Sequence, residues 1–155
     1  MKKQVLILAL VLLVLPSCKK ESWLDWKTEN QLWLVDNAKQ EGVIVTPSGL
    51  QYKVLREGIP SQPKPDALKS VVVTYKGSLI TGNVFDKGED KSMAVSSLIQ
   101  GFAEGLCKMS PPAHYILYIP SNLAYDKDGA GTEGIKGFIP PYSTLIFDVE
   151  LKQVY

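Results

Sequence analysis

The chain has 155 residues, 17 basic and 16 acidic side chains, one histidine and two cysteines. Charges this balanced, with no run of lysine or arginine, exclude the basic patch that nucleic-acid binding needs. One histidine, no Gly-x-Ser-x-Gly and no His-Glu pair exclude the common hydrolase constellations, and the cysteines lack metal-type spacing.

The N-terminus reads as an export signal. Lys2 and Lys3 form a charged start, and Val5 to Leu15 is a continuous apolar run too short to span a bilayer. Leu15-Pro16-Ser17-Cys18 then resembles a bacterial lipobox, with Pro16 where a small or β-branched residue is usual. On that resemblance residues 1–17 are a lipoprotein signal peptide and Cys18 carries the lipid. An ordinary secretory signal with Cys18 incidental is the other reading. The lipobox reading expects an envelope protein anchored in a membrane and facing the periplasm or the cell exterior. Acyl chains contribute about 0.8 kcal/mol per buried methylene, so several chains anchor firmly where one is marginal. Cys107 would then be the only thiol left, unable to form an intramolecular disulfide, and it reads as a small apolar residue.

Residues 18–42 read as a tether and a helix. Ser22 can cap a helix running toward Gly42, and Trp23, Trp26, Trp33, Leu34 and Asn37 recur every three or four residues. That stripe either packs on its own domain or forms a contact face for a client or a second copy. From Val43 the pattern turns to strands: Val43 to Val45 and Leu50 to Leu55, around the turn Thr46-Pro47-Ser48-Gly49. Ile59 to Leu68, with three prolines, is an irregular loop. Val71 to Leu79 is a strand, Thr81-Gly82-Asn83 a turn, and Phe85 opens the next strand. Ser96 or Ser97 can cap one short helix, Leu98 to Met109, in which Leu98, Phe102, Leu106 and Met109 share a face, and Pro111-Pro112 stops it. Tyr115 to Ile119 alternates again. After a loop rich in Gly and Asp, Leu145, Phe147, Val149 and Leu151 alternate along a last strand. The expected domain, residues 43–155, is α+β, an antiparallel β-sheet wrapped around one short α-helix, with an N-terminal helical extension.

Two segments carry a family resemblance. Val73 to Asp86, VTYKGSLITGNVFD, and Ile139 to Leu151, IPPYSTLIFDVEL, resemble the two signatures of the FKBP-type peptidyl-prolyl cis-trans isomerases, in the family's order. Thr46 to Gly58 is similar to the opening of secreted bacterial members, and the resemblance spans about Val45 to Val154. It implies catalysis of X–Pro rotation in proline-containing polypeptide clients, with no cofactor and no metal. The implied catalytic positions are Tyr75, Phe85, Asp86, Ile99, Phe102, Tyr125 and Phe147. In this scheme the Ile99 N–H and the Tyr125 hydroxyl donate to the client, and Asp86 accepts from Tyr75. Leu98, Phe138 and Ile139 are the implied substrate-binding positions. The resemblance also raises macrolide inhibitor binding, which the residues leave open.

Three positions depart from the family pattern. Phe102 stands where the floor tryptophan is usual. Asp126 replaces the glycine after Tyr125 and opens a longer loop to Ile139. Met109-Ser110-Pro111-Pro112 replaces a segment that usually carries Gly and Lys. Phe102 makes a non-catalytic client-binding module the rival reading, and a structural lipoprotein without a cleft comes third. Asp126, Asp128 and Gly131 echo a calcium loop, but Ala130 and Gly137 sit where oxygen ligands belong, which excludes it. Gly129-Ala130-Gly131 is too short for a phosphate cradle, and His114 reads as solvent-facing or structural.

Overall fold

The computed structural model describes residues 23–155. The expected signal segment, the expected Ser22 cap and Cys18 lie outside the described residues. Six strands, β1 (Val43–Val45), β2 (Gln51–Arg56), β3 (Ser70–Leu79), β4 (Val84–Ala94), β5 (His114–Ile119) and β6 (Leu145–Val154), form one sheet. Its order is β1-β2-β5-β6-β3-β4, with every neighbouring pair antiparallel. Helix α1 spans Trp23–Asn37 and α2 spans Gln100–Leu106.

Alternation decides which side of the sheet is core. On β6 Leu145, Phe147, Val149 and Leu151 are buried while their neighbours are half-buried. On β5 Tyr115, Leu117 and Ile119 point the same way. Helix α2 lies against this inner face, with Phe102 and Leu106 buried. It comes close because Gly105 has no side chain: a Cβ there would stand 2.4 Å from Leu117 Cδ1. The helix is shorter than its apolar spacing suggests. Leu98 and Ile99 are extended, Ile99 is the N-cap, and neither Ser96 nor Ser97 caps it; Ser97 Oγ instead donates to Ala94 O at 2.8 Å.

Helix α1 covers the opposite face. Trp23, Trp26, Asn30, Trp33 and Asn37 are spaced by alternating threes and fours, which puts them on one side of a helix. Trp33 packs on Tyr118 of β5 with ring centroids 5.7 Å apart. Tyr118 adjoins Leu117 and so points away from α2. Gln51, the cross-strand partner of Tyr118, donates to Leu34 O at 2.9 Å and accepts from Asn37 Nδ2 at 2.8 Å. Asn30 is buried and fully used: it donates to Trp26 O at 2.8 Å and accepts from the Thr144 N–H at 2.7 Å. Of the two readings of the stripe, packing on its own domain is the one observed. His114 is on the outer face too, its Nε2 2.6 Å from Asp148 Oδ1 across β5 and β6.

Candidate active site

A cleft of about 160 Å³ opens beside α2, lined by Tyr75, Asp86, Leu98, Ile99, Phe102, Tyr125 and Phe147, with Met93 and Ser97. Strand β3 carries Tyr75 and β6 carries Phe147, both on the inner face. The extended residues before α2 bring Leu98 and Ile99 to the rim, and the first turn of the helix brings Phe102 to the floor.

The floor is aromatic. Phe102 and Phe147 stack at 4.6 Å with planes 27° apart, and Tyr75 is tilted against both at 6.1 and 6.0 Å. Offset aromatic contacts of this kind add about 0.5–1.5 kcal/mol each beyond the area they bury. Phe102 is 3% exposed, so the cleft touches little more than its edge.

The polar groups divide into two kinds. The Tyr75 hydroxyl donates to Asp86 Oδ2 at 2.7 Å, and the Lys87 N–H donates to Asp86 Oδ1 at 2.8 Å, so both carboxylate oxygens are engaged. Burial, reinforced by the Asp86 carboxylate, pushes the Tyr75 phenol up to about 12, and it remains a neutral donor across the physiological range. The second kind has no protein partner. Among the described residues the Ile99 N–H donates to no acceptor, although the Ile99 carbonyl already accepts from the Phe102 and Ala103 N–H groups. The Tyr125 hydroxyl makes no hydrogen bond to the described residues either, and Tyr125 is 40% exposed. Two free donors thus border an apolar floor. The Tyr125 rim is held by its neighbour, since the Asp126 carbonyl accepts the Tyr142 N–H at 2.6 Å.

Three of the expected residues lie elsewhere. Phe85 is behind the wall: its ring covers Gly77, where a Cβ would meet Phe85 Cζ at 2.6 Å, and it meets Phe147 edge-on at 5.6 Å. Phe138 and Ile139, expected at the substrate, lie outside the lining of this cleft. Ile139 is 4% exposed in the core, its backbone paired with Ala130 in both directions. Phe138, one residue earlier, points away and packs against Trp23 at 6.2 Å. Conversely, Met93 and Ser97 were not singled out by sequence. Met93 is the cross-strand partner of the buried Val71, so its signal lay in the β3–β4 register.

Comparison with known proteins gives a consistent set of matches. A family model described as FKBP-type peptidyl-prolyl cis-trans isomerase matches residues 61–152, and one described as the domain amino terminal to it matches residues 18–54. A probable FKBP-type peptidyl-prolyl cis-trans isomerase FkpA of Neisseria meningitidis is 39% identical over 132 residues, covering 83% of this chain and 46% of the relative. The outer membrane protein MIP of Legionella longbeachae is 36% identical over 132 residues, covering 83% of this chain and 54% of the relative. The chain therefore spans about half the length of these relatives. A crystal structure of a peptidyl-prolyl cis-trans isomerase from Pseudomonas syringae pv. tomato superposes with a TM-score of 0.78 at 30% identity, covering 86% of this chain and 96% of that one.

Proposed function

Because this chain belongs to the FKBP-type peptidyl-prolyl cis-trans isomerase family, we propose that it catalyses cis–trans rotation about X–Pro bonds in polypeptides of the cell envelope. The observation that carries the reading is the pair of free donors, the Ile99 N–H and the Tyr125 hydroxyl, bordering the Phe102–Phe147 floor.

The reaction needs no nucleophile. Its barrier of about 18–20 kcal/mol is the loss of amide resonance as the bond twists. A catalyst must favour the twisted amide over the planar one. Here the proline ring enters between Phe102, Phe147 and Tyr75, where water is displaced. Without water the twisted carbonyl loses little, since it has no solvent dipoles to leave behind. The Ile99 N–H and the Tyr125 O–H hold backbone carbonyls of the client, fixing one side of the bond while the other turns. Asp86 acts through Tyr75 by holding its ring at the wall.

For location, the apolar run Val5 to Leu15 just before Cys18 and the outer-membrane name of the Legionella relative support an envelope protein held by a lipid on Cys18. Mass spectrometry of the mature N-terminus tests this: a diacylated Cys18 is expected, lost with Cys18→Ala, and an unmodified Cys18 refutes the anchor.

A second reading, client binding without turnover, has its own observation. Phe102 stands where the family has its floor tryptophan and is 3% exposed, which offers a proline ring less surface. A protease-free isomerisation assay on the full chain decides. Catalysis is expected, held or raised by Phe102→Trp; a folded protein that binds proline peptides without speeding rotation, before and after that substitution, leaves only the binding role.

A further inference from the structure

We propose that the groove between α1 and the β3–β4 turn binds the basic side chain, lysine or arginine, of an extended polypeptide. The inference goes beyond the isomerase reading, and only its choice of a polypeptide over a free ion rests on that reading. The groove is a hollow of about 380 Å³, larger than the active-site cleft. It is lined by Trp23, Asp25, Trp26 and Glu29 from α1 and by Leu79, Thr81, Asn83 and Pro140 from the sheet side.

Each of these features suits an organic cation. Asp25 and Glu29 stand one turn apart on α1, close enough to repel, and among the described residues neither has a basic partner. A cation between them relieves that repulsion. The neighbouring base on the helix is committed elsewhere, since Lys27 Nζ lies 4.5 Å from the centroid of the Tyr142 ring. The indoles are held in place: Trp26 Nε1–H donates to Ser143 Oγ at 3.0 Å, and Trp23 packs on Phe138. Tryptophan is the strongest aromatic partner for a cation, and an apolar lining accepts the methylene stem of lysine or arginine.

The shape favours a polypeptide over a free ion. The groove shares Leu79, Asn83 and Pro140 with a second hollow that runs past Val84 and Phe85. Phe85 is followed in the chain by Asp86, which lines the cleft. On the isomerase reading, a chain whose proline occupies the cleft can pass the start of β4 at Asp86 and Phe85 and place a basic residue in the groove beside Asp25 and Glu29. Lys136 lines the intervening hollow, so that stretch of the chain is expected to be uncharged or acidic.

All three tryptophans of the chain, Trp23, Trp26 and Trp33, lie on α1, and the cleft contains none. Indole fluorescence therefore reports this face alone. The full chain in neutral detergent is titrated with a capped Gly-Arg-Gly peptide and with its Gly-Gln-Gly counterpart. A saturable change is expected with the arginine peptide and none with the glutamine peptide. Asp25→Asn combined with Glu29→Gln should weaken binding roughly three- to tenfold, as loss of two exposed charge contacts implies. Tyr125→Phe should leave the titration unchanged. Equal responses to the two peptides, or no effect of the paired substitution in a protein with an unchanged melting curve, overturns the proposal. So does saturation by phosphatidylcholine vesicles where the arginine peptide fails, which assigns the groove to a lipid headgroup. The isomerisation assay runs beside it. A wild-type chain that binds the arginine peptide but shows no catalysis keeps the groove and loses the isomerase reading; catalysis without the fluorescence change does the reverse.

Discussion

The two helices rest on opposite faces of one sheet and are held there by opposite means. Helix α2 is docked by apolar shape: Phe102 and Leu106 are buried, and Gly105 lets the helix settle onto Leu117. Helix α1 is docked by hydrogen bonds and aromatic edges: Trp26 to Ser143, Asn30 to Thr144, Asn37 to Gln51, and Trp33 on Tyr118. The difference follows from what each one does. Helix α2 brings Phe102 to the floor of the cleft, where dry packing sets the shape. Helix α1 ties down the turn that ends at Thr144, and Tyr142 in that turn holds Asp126 beside Tyr125. It reaches the cleft only through the backbone of another segment.

The largest expected effect breaks α2. Leu106 is fully buried, and Leu106→Ala should cost about 2–5 kcal/mol, the lost transfer energy plus a cavity. Urea unfolding with an unchanged slope would measure it. A cost near zero would mean that α2 repacks freely and that its fit is not what defines the cleft.

Helix α1 should be more forgiving. Asn30→Ala leaves the buried Thr144 N–H without an acceptor, at a cost of about 1–3 kcal/mol. The same substitution should weaken client binding at Tyr125 as the turn loosens. If unfolding shows the cost while client affinity is unchanged, α1 serves stability alone and the link through Tyr142 carries nothing.

At the cleft itself the effect should appear in binding only. The Tyr125 hydroxyl has no protein partner among the described residues, so Tyr125→Phe should leave the melting curve unchanged. It should weaken client binding by about 0.5–1.5 kcal/mol, up to tenfold. A melting curve beside a client titration separates the two. A loss of stability with affinity intact would make Tyr125 a packing residue.

How much of this was legible in the sequence follows the same division. Apolar periodicity exposes what apolar packing holds. The alternation of Leu145, Phe147, Val149 and Leu151 gave β6 its inner face, and the spacing of Phe102 and Leu106 placed α2, while Leu98 and Met109 carried its expected bounds too far at both ends. Most cleft residues came with the family resemblance, three of them, Tyr75, Asp86 and Phe147, inside its two signatures. Polar docking has no such period. Asn30 and Gln51 are buried only because each meets one particular partner far along the chain, and neither residue type predicts that. Phe138 and Ile139 fall outside the cleft lining for a finer reason: a loop residue's side is set by the pairing of Ile139 with Ala130, which residue spacing does not encode. Met93 needed the register of β4 on β3.

The smallest effect tests the two faces by titration. On the α2 side, burial and then a carboxylate partner, Asp86 for Tyr75 and Glu57 for Tyr115, push each phenol up to about 12. On the α1 side Tyr118 is also raised, by burial alone. A phenol whose folded value lies above its unfolded value of about 10 favours the native state while it is protonated. That contribution is complete below pH 10 and is lost as the pH rises through 12, so these two phenols should leave stability unchanged across neutral pH and lower it in that window. The faces should then part under Trp33→Ala. Removing the ring that covers Tyr118 exposes its phenol to water and should return it toward the ordinary value, while Tyr75 and Tyr115 keep their late titration. Ultraviolet titration of the tyrosinate band reads all three. If Tyr118 does not move, its burial comes from the sheet and not from α1; if Tyr75 moves with it, the two faces are coupled through β5 and β6 more tightly than their separate docking implies.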